Sequence, residues 1–173
     1  MANTFSKIAS TTVGSSGASN INFTSIPDNY TDLLIKTSVR TTAASAAGGQ
    51  WLFINFNGTN ADNTSLVLYG LGSSVGSFIY SSPTPYGNYV NPSDYTANTF
   101  GSTEIYIPNY ASSRPKSFSG DSANETNTTA AGKNLQAGLW NNNSPITSIQ
   151  LTLNAGNFVQ YSTATLYGIK NYS

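Results

Sequence analysis

Residues 102–108 read Ser-Thr-Glu-Ile-Tyr-Ile-Pro. Ile105 and Ile107 fall on one side of an extended chain, Glu104 and Tyr106 on the other, because side chains alternate across a strand. Such a segment buries one face and wets the other, and Pro108 closes it. The same pattern recurs along the chain. Asp32 to Arg40 carries Leu33, Leu34, Ile35 and Val39, and Ile146 to Leu153 places Ile149, Leu151 and Leu153 in alternation. Trp51-Leu-Phe-Ile-Asn-Phe56 is apolar and aromatic and stops at Asn57-Gly58, while Leu66-Val-Leu-Tyr69 stops at Gly70. Aromatic and β-branched runs bounded by Asn, Gly and Pro favour strand over helix.

Thr163 to Ile169 alternates too, although its small residues leave the buried face open. Weaker strand signals cover Phe5 to Val13, Ile21 to Thr24, Ser77 to Tyr80, Lys116 to Phe118 and Leu135 to Trp140. About ten short strands with turn residues between them predict an all-β chain, an antiparallel β-sandwich of jelly-roll type. The expected organisation is a single domain over residues 1–173, with residues 1–20 as an extended N-terminal arm or an edge strand. Trp51–Phe56 and Leu66–Tyr69 are expected to form a hairpin across the long loop Asn57 to Asn63. Helix is expected to be under about a tenth of the chain. The Ala- and Ser-containing stretch Thr41 to Gly49 is the best place for a helical turn. Tyr80 to Asp94 holds Pro83, Pro85 and Pro92 and predicts an extended loop.

Composition narrows the function. Charged residues are 8% of the 173, against about 25% in ordinary domains. Ser, Thr and Asn make up about two-fifths, so the surface is neutral and polar. Lys7, Lys36, Arg40, Arg114, Lys116, Lys133 and Lys170 are scattered and the formal net charge is zero. Nucleic-acid binding, which needs a clustered positive field, is not expected. The close pair Arg114 and Lys116 reads as a solvated turn. No Lys- or Arg-led apolar run opens the chain, and no apolar stretch is long enough to span a bilayer, so no membrane role is expected. The opening Met-Ala-Asn-Thr reads as a cytosolic translation product rather than a fragment.

The chain has no Cys and no His. That removes Cys–His and Ser–His nucleophilic machinery and Cys/His zinc sites. A glycosidase would need two carboxyl groups facing each other across a sugar. The candidates Asp28, Asp32, Asp62, Asp94, Glu104, Asp121 and Glu125 mostly fall in or beside predicted turns, where Asp is an ordinary residue. The expectation is therefore no catalytic residue, no cofactor and no metal. The one softer metal candidate is a weak calcium loop at Asn57, Asn60, Asp62 and Asn63, which an Asx-rich turn explains equally well. Trp51 reads as core, and Trp140 is open between core and rim. Tyr80, Tyr86, Tyr89 and Tyr95 cluster in the Pro-rich segment. Tyrosine offers rigid, amphipathic contact area, so these four are the candidate interface residues. Stacking on a sugar ring, or a loop folded on its own sandwich, are the competing readings.

Segments in a fixed order add a resemblance. Ser25-Ile-Pro-Asp-Asn-Tyr-Thr-Asp-Leu-Leu34 with Arg40 is followed by Phe56-Asn-Gly58, Tyr106-Ile-Pro-Asn-Tyr110 and Phe118-Ser-Gly120. Ala137-Gly-Leu-Trp140, Ile146-Thr-Ser-Ile149 and Ser162-Thr-Ala-Thr-Leu-Tyr-Gly-Ile169 complete it, so it spans most of residues 20–170. In this order the chain resembles small β-sandwich structural proteins of the virions of tailed bacteriophages and marine phages. The resemblance implies a jelly-roll or lectin-like sandwich with no catalytic motif, made in the host cytoplasm and carried on the virion surface. It implies a non-catalytic structural protein of the virion, on heads, tails or fibres; a chain that is almost all one domain, without a fibre-forming repeat, favours a capsid decoration or cement protein on the outside of the particle. The alternative is a tail or fibre-tip module that binds host-surface glycan. Partners would be the major capsid protein or a tail component, with the chain itself a homo-oligomer, trimer or dimer.

Overall fold

A computed structural model describes residues 4–45, 50–59, 61, 63–81, 87–127 and 131–170. The described residues form strands and turns and contain no helix. The strands are β1 (Phe5–Thr12), β2 (Asn20–Phe23), β3 (Asp32–Val39), β4 (Trp51–Phe56), β5 (Asn63–Leu71), β6 (Ser74–Ser81), β7 (Asn88–Tyr89), β8 (Gly101–Ile107), β9 (Lys116–Asn124), β10 (Gly132–Trp140), β11 (Ile149–Leu153) and β12 (Thr163–Ile169). They build two packed antiparallel sheets, one of order β1-β12-β3-β8-β9-β10-β5-β6 and one of order β2-β11-β4-β7.

The topology resolves into a core and an addition. Without β5, β6, β9 and β10, the sheets read β1-β12-β3-β8 and β2-β11-β4-β7. That alternation of strands between two four-stranded sheets is the jelly-roll order, two Greek keys closed on each other. The hairpin β5–β6 is inserted between β4 and β7, and the hairpin β9–β10 between β8 and β11. Both insertions join the same sheet through the pairings β8–β9 and β10–β5, and double its width. β1 is the edge strand at the far end of the larger sheet.

The core lies between the two four-stranded sheets. Leu33, Ile35, Ile105, Ile107 and Leu166 meet Ile21, Phe23, Leu52, Ile54, Phe56 and Leu151, all buried. Each such side chain contributes roughly 1.5–3 kcal/mol by leaving water. Ala164 and Leu166 face inward, which settles the buried side of β12. Trp140 is fully buried, tilted against Phe56 at 5.4 Å between centroids. Phe118 meets Phe56 edge-on at 5.5 Å.

Several expectations change. β4 and β5 do not form a hairpin: β4 pairs with β11 and β7 in one sheet, β5 with β10 and β6 in the other. Asn57 shows why. At φ 52° it turns the chain, and its side-chain oxygen accepts from the Thr147 and Ser148 amides at 2.8 and 3.1 Å. Its amide donates to the Pro145 carbonyl, so the strand end is tied to the segment before β11. The same bonds occupy Asn57 as a calcium ligand, while Asn60 and Asp62 lie outside the described residues. Lys116 does not sit in a solvated turn: it opens β9, is 1% exposed, and donates to the Asn142 and Ser144 carbonyls above the Trp140 ring. Arg114 is exposed. Tyr80 to Asp94 is not all loop, since Tyr80 lies in β6 and Asn88–Tyr89 form β7. Asp32 and Asp121 stand in strands rather than turns, while Glu104 lies in its strand as the alternation of 102–108 predicts. Asp32 is buried because it accepts from the Tyr106 hydroxyl and the Asn109 amide, both at 2.9 Å. Of Thr41 to Gly49, residues 41–45 are not helical and 46–49 lie outside the described residues.

Candidate assembly surface

Parts of β5, β6 and β10 reverse the usual polarity of a sandwich. In β10 the buried face is Gly132, Asn134, Gln136, Gly138 and Trp140, and the exposed face is Lys133, Leu135, Ala137 and Leu139. In β5 Asn63 and Ser65 are buried while Leu66 and Leu68 are 42% and 51% exposed. In the edge strand β6, Val75 and Ile79 are 86% and 77% exposed.

The amides point inward because β7 needs them. This two-residue strand lies over the inner face of the added strands, and buried backbone and amide groups require partners. The Tyr89 amide donates to Ser122 Oγ at 2.7 Å, and Ser122 Oγ in turn bonds Asn134. Asn134 donates to the Gly87 carbonyl. Asn88 donates to Gln136 Oε1 at 3.1 Å, and Gln136 donates to Ser65 Oγ at 3.0 Å. With period two, giving the inner face to amides sends the leucines of the same strands outward.

The outward side chains are contiguous. Leu66 pairs in register with Ile79 on one side and Ala137 on the other, and Leu68 pairs with Leu135. Exposed apolar groups that touch form a patch, which differs from single scattered ones. Two ion pairs stand on the same side of the sheet, Lys133–Asp121 and Lys36–Glu104 at 2.9 Å. The Glu104 carboxylate, by hydrogen bond and charge, holds the Lys36 ammonium above its ordinary value. Both pairs are well exposed, so each is worth little in stability and leaves the face neutral. Beside the leucines runs a trough of about 210 Å³, lined by Tyr106, Ser119, Gly120, Asp121 and Leu135.

The four tyrosines read from sequence take different positions. Tyr89 is 2% exposed and stacks on Trp51, with centroids 4.5 Å apart and planes 26° apart. Burial first, then the nearby Tyr69 and Tyr95, pushes its phenol up to about 12. Tyr80 is half-buried and meets Phe78 edge-on at 6.4 Å. Tyr95 is half-buried on the loop after β7. Tyr86 lies outside the described residues. Trp51 and Phe53 project from the side of β4 opposite Leu52 and Ile54, and Tyr69 and Phe78 cover them. Trp51, Tyr69, Leu71, Ser74, Phe78 and Tyr89 line a cavity of about 320 Å³. Its walls suit a flat apolar face, such as that of a sugar ring.

Sequence reasoning missed Arg40 and the outward leucines. Arg40 is buried, and its guanidinium donates to the carbonyl oxygens of Ser93, Tyr95, Thr96 and Thr99. The loop that carries Tyr95 is thereby wrapped around one cation. Comparison with protein-family models, curated proteins and solved structures finds no match to this chain.

Proposed function

We propose that the chain is a non-catalytic structural protein on the outside of a phage virion, with the capsid surface as its place and decoration or cement as its role. The observation that carries this reading is the outward apolar face on β5, β6 and β10. It lies on strands that the jelly roll does not need, and it has no use in the isolated chain. Function is grafted onto folds at such additions. The resemblance of the ordered segments to phage virion proteins supplies the virus. A chain with zero formal net charge has little long-range field to steer association, so its assembly rests on apolar and hydrogen-bonded contact.

A second reading, a tail or fibre-tip module that grips host glycan, is favoured by the aromatic cavity at Trp51, Tyr69, Phe78 and Tyr89. The two readings separate in a rebinding experiment. Particles stripped of the protein are mixed with the recombinant chain at rising salt. Occupancy should persist near roughly 1 M salt, where screening reaches about 3 Å. Failure of the native chain to rebind would remove the structural reading. Unchanged occupancy of a Phe78→Ala variant with lost adsorption to host cells would favour the glycan reading.

A further inference from the structure

We propose that the outward face of β9, β10, β5 and β6 docks a second copy of this chain, face to face about a two-fold axis. The proposal rests on reading that face as an assembly surface and names its occupant. Three observations select a second copy. The first is shape. The face carries a ridge and a trough side by side: Leu66, Leu68 and Ile79 stand proud on β5 and β6, and the trough between Tyr106 and Leu135 lies across β9. The trough opens where β9 places the small Ser119 between Tyr106 on one neighbouring strand and Ala137 on the other. An isologous contact requires one surface to complement itself, with residue i meeting j and j meeting i. A two-fold rotation sets each ridge into the other copy's trough.

The second observation is charge. Counting β8, whose Tyr106 forms the rim of the trough, the exposed charges from β8 to β6 are Glu104, Asp121 and Lys133; Lys133 is paired with Asp121, and Glu104 with Lys36 on β3. A surface that must meet its own copy cannot carry net charge without repelling itself, and this one carries none. The third is area. Five adjacent strands, β8 to β6, at about 4.8 Å spacing and about 24 Å of length present roughly 600 Å² in projection. A specific interface takes about 800 Å² of accessible surface from each partner, and a corrugated sheet face exceeds its projection. The pairing therefore uses this face almost completely.

The partner also explains why the leucines are tolerated. A patch of this size left in water invites nonspecific association, whereas a closed two-fold pair consumes it. Because the contact is apolar, added salt leaves it intact or tightens it.

The test is the oligomeric state of the full chain by sedimentation equilibrium, over a concentration series at low and high salt. The native chain should be a dimer at micromolar concentration. Leu66→Asp and Leu135→Asp, at positions 42% and 50% exposed, should leave the melting temperature of the fold in place and weaken dimerisation by roughly 30-fold or more. The chain has no cysteine, so the double variant Leu66→Cys with Ser119→Cys reports ridge meeting trough: oxidation should yield a covalent dimer. Neither single variant should give that yield. A monomer at all concentrations, or a dimer indifferent to both aspartate variants, overturns the proposal. If the native chain is monomeric yet Leu66→Asp abolishes rebinding to stripped particles, the face belongs to another virion protein: the second copy is wrong and the structural reading stands. A dimer broken by Leu66→Asp, with no native chain bound to particles, upholds the second copy and removes the virion reading.

Discussion

The guanidinium of Arg40 lies 2.7 Å from the carbonyl oxygen of Thr96, across 56 residues of chain. Three further carbonyls, from Ser93, Tyr95 and Thr99, accept from the same group. None of these acceptors is a carboxylate; Asp94 on the same loop interacts with the cation by charge, without a hydrogen bond to it. Hydrogen bonds to a charged group are worth about 1.5–3 kcal/mol each before non-additivity. Arg40→Ala should cost about 3 kcal/mol or more in the denaturant midpoint and release amide exchange over residues 93–99. Arg40→Lys should recover only part of this, because an ammonium lacks the planar fork. Equal stability of all three proteins would show that the loop holds itself.

The stack of Tyr89 on Trp51 predicts a second outcome. Tyr89→Ala removes a ring 2% exposed and should destabilise by about 3–5 kcal/mol. It should also change the Trp51 fluorescence maximum. Replacement of the half-buried Tyr80 at the sheet edge should cost about 1 kcal/mol, within the ordinary range for single substitutions. The reverse order of effects would contradict the packing described.

Glycine 138 underlies a third. A Cβ there would overlap the Phe118 ring. Phe118 also packs edge-on against Phe56, so it has little room to withdraw. Gly138→Ala should cost roughly 1–3 kcal/mol by overpacking. Gly138→Ala combined with Phe118→Leu should cost less than the sum of the two singles. Strict additivity in the double-mutant cycle would show that the two positions do not touch.

Alkaline pH supplies a fourth. Burial raises the phenols of Tyr95, Tyr106 and Tyr110, and takes Tyr89 to about 12. An unfolded tyrosine loses its proton near about 10, and the folded ones later, so above that pH the unfolded chain binds fewer protons and stability falls. Tyr89 alone removes about 2–3 kcal/mol between pH of about 10 and 12. Lys116 works the other way: burial lowers its pKa, so stability rises slightly as pH climbs toward 10.5 and the folded form sheds its proton first. The midpoint should therefore hold or rise slightly to about pH 10 and then drop. Tyr89→Phe should flatten that drop, and a midpoint constant to about pH 12 would contradict the burial of these phenols.

Much of the fold could be read from local alternation. Ile105 and Ile107 face the core while Glu104 and Tyr106 face out, as the seven residues 102–108 predict. Period two fixes which residues share a face, but it does not say which face is inside. Polarity alone would place the apolar Leu66 and Leu68 inside and the amides Asn134 and Gln136 outside. The structure reverses both, since Gln136 finds its partner Asn88 48 residues away and no local window contains that information. The β4–β5 hairpin failed for the same reason: the contacts of Asn57 that redirect the chain are with Thr147 and Ser148. Arg40 could not be singled out, because its acceptors are backbone carbonyls and leave no mark on side-chain identity. Among the tyrosines, a Pro-rich setting suggested exposure, yet Tyr89 pairs with Trp51 in a two-residue ladder that such a short segment does not advertise.

The central proposal is that this chain is a structural part of a virion exterior, and the most direct measurement is its copy number and position in images of purified virus particles from a culture that carries its coding sequence. The account predicts on the order of hundreds of copies in symmetric positions on the outer capsid surface. Absence of the chain from purified particles would contradict it.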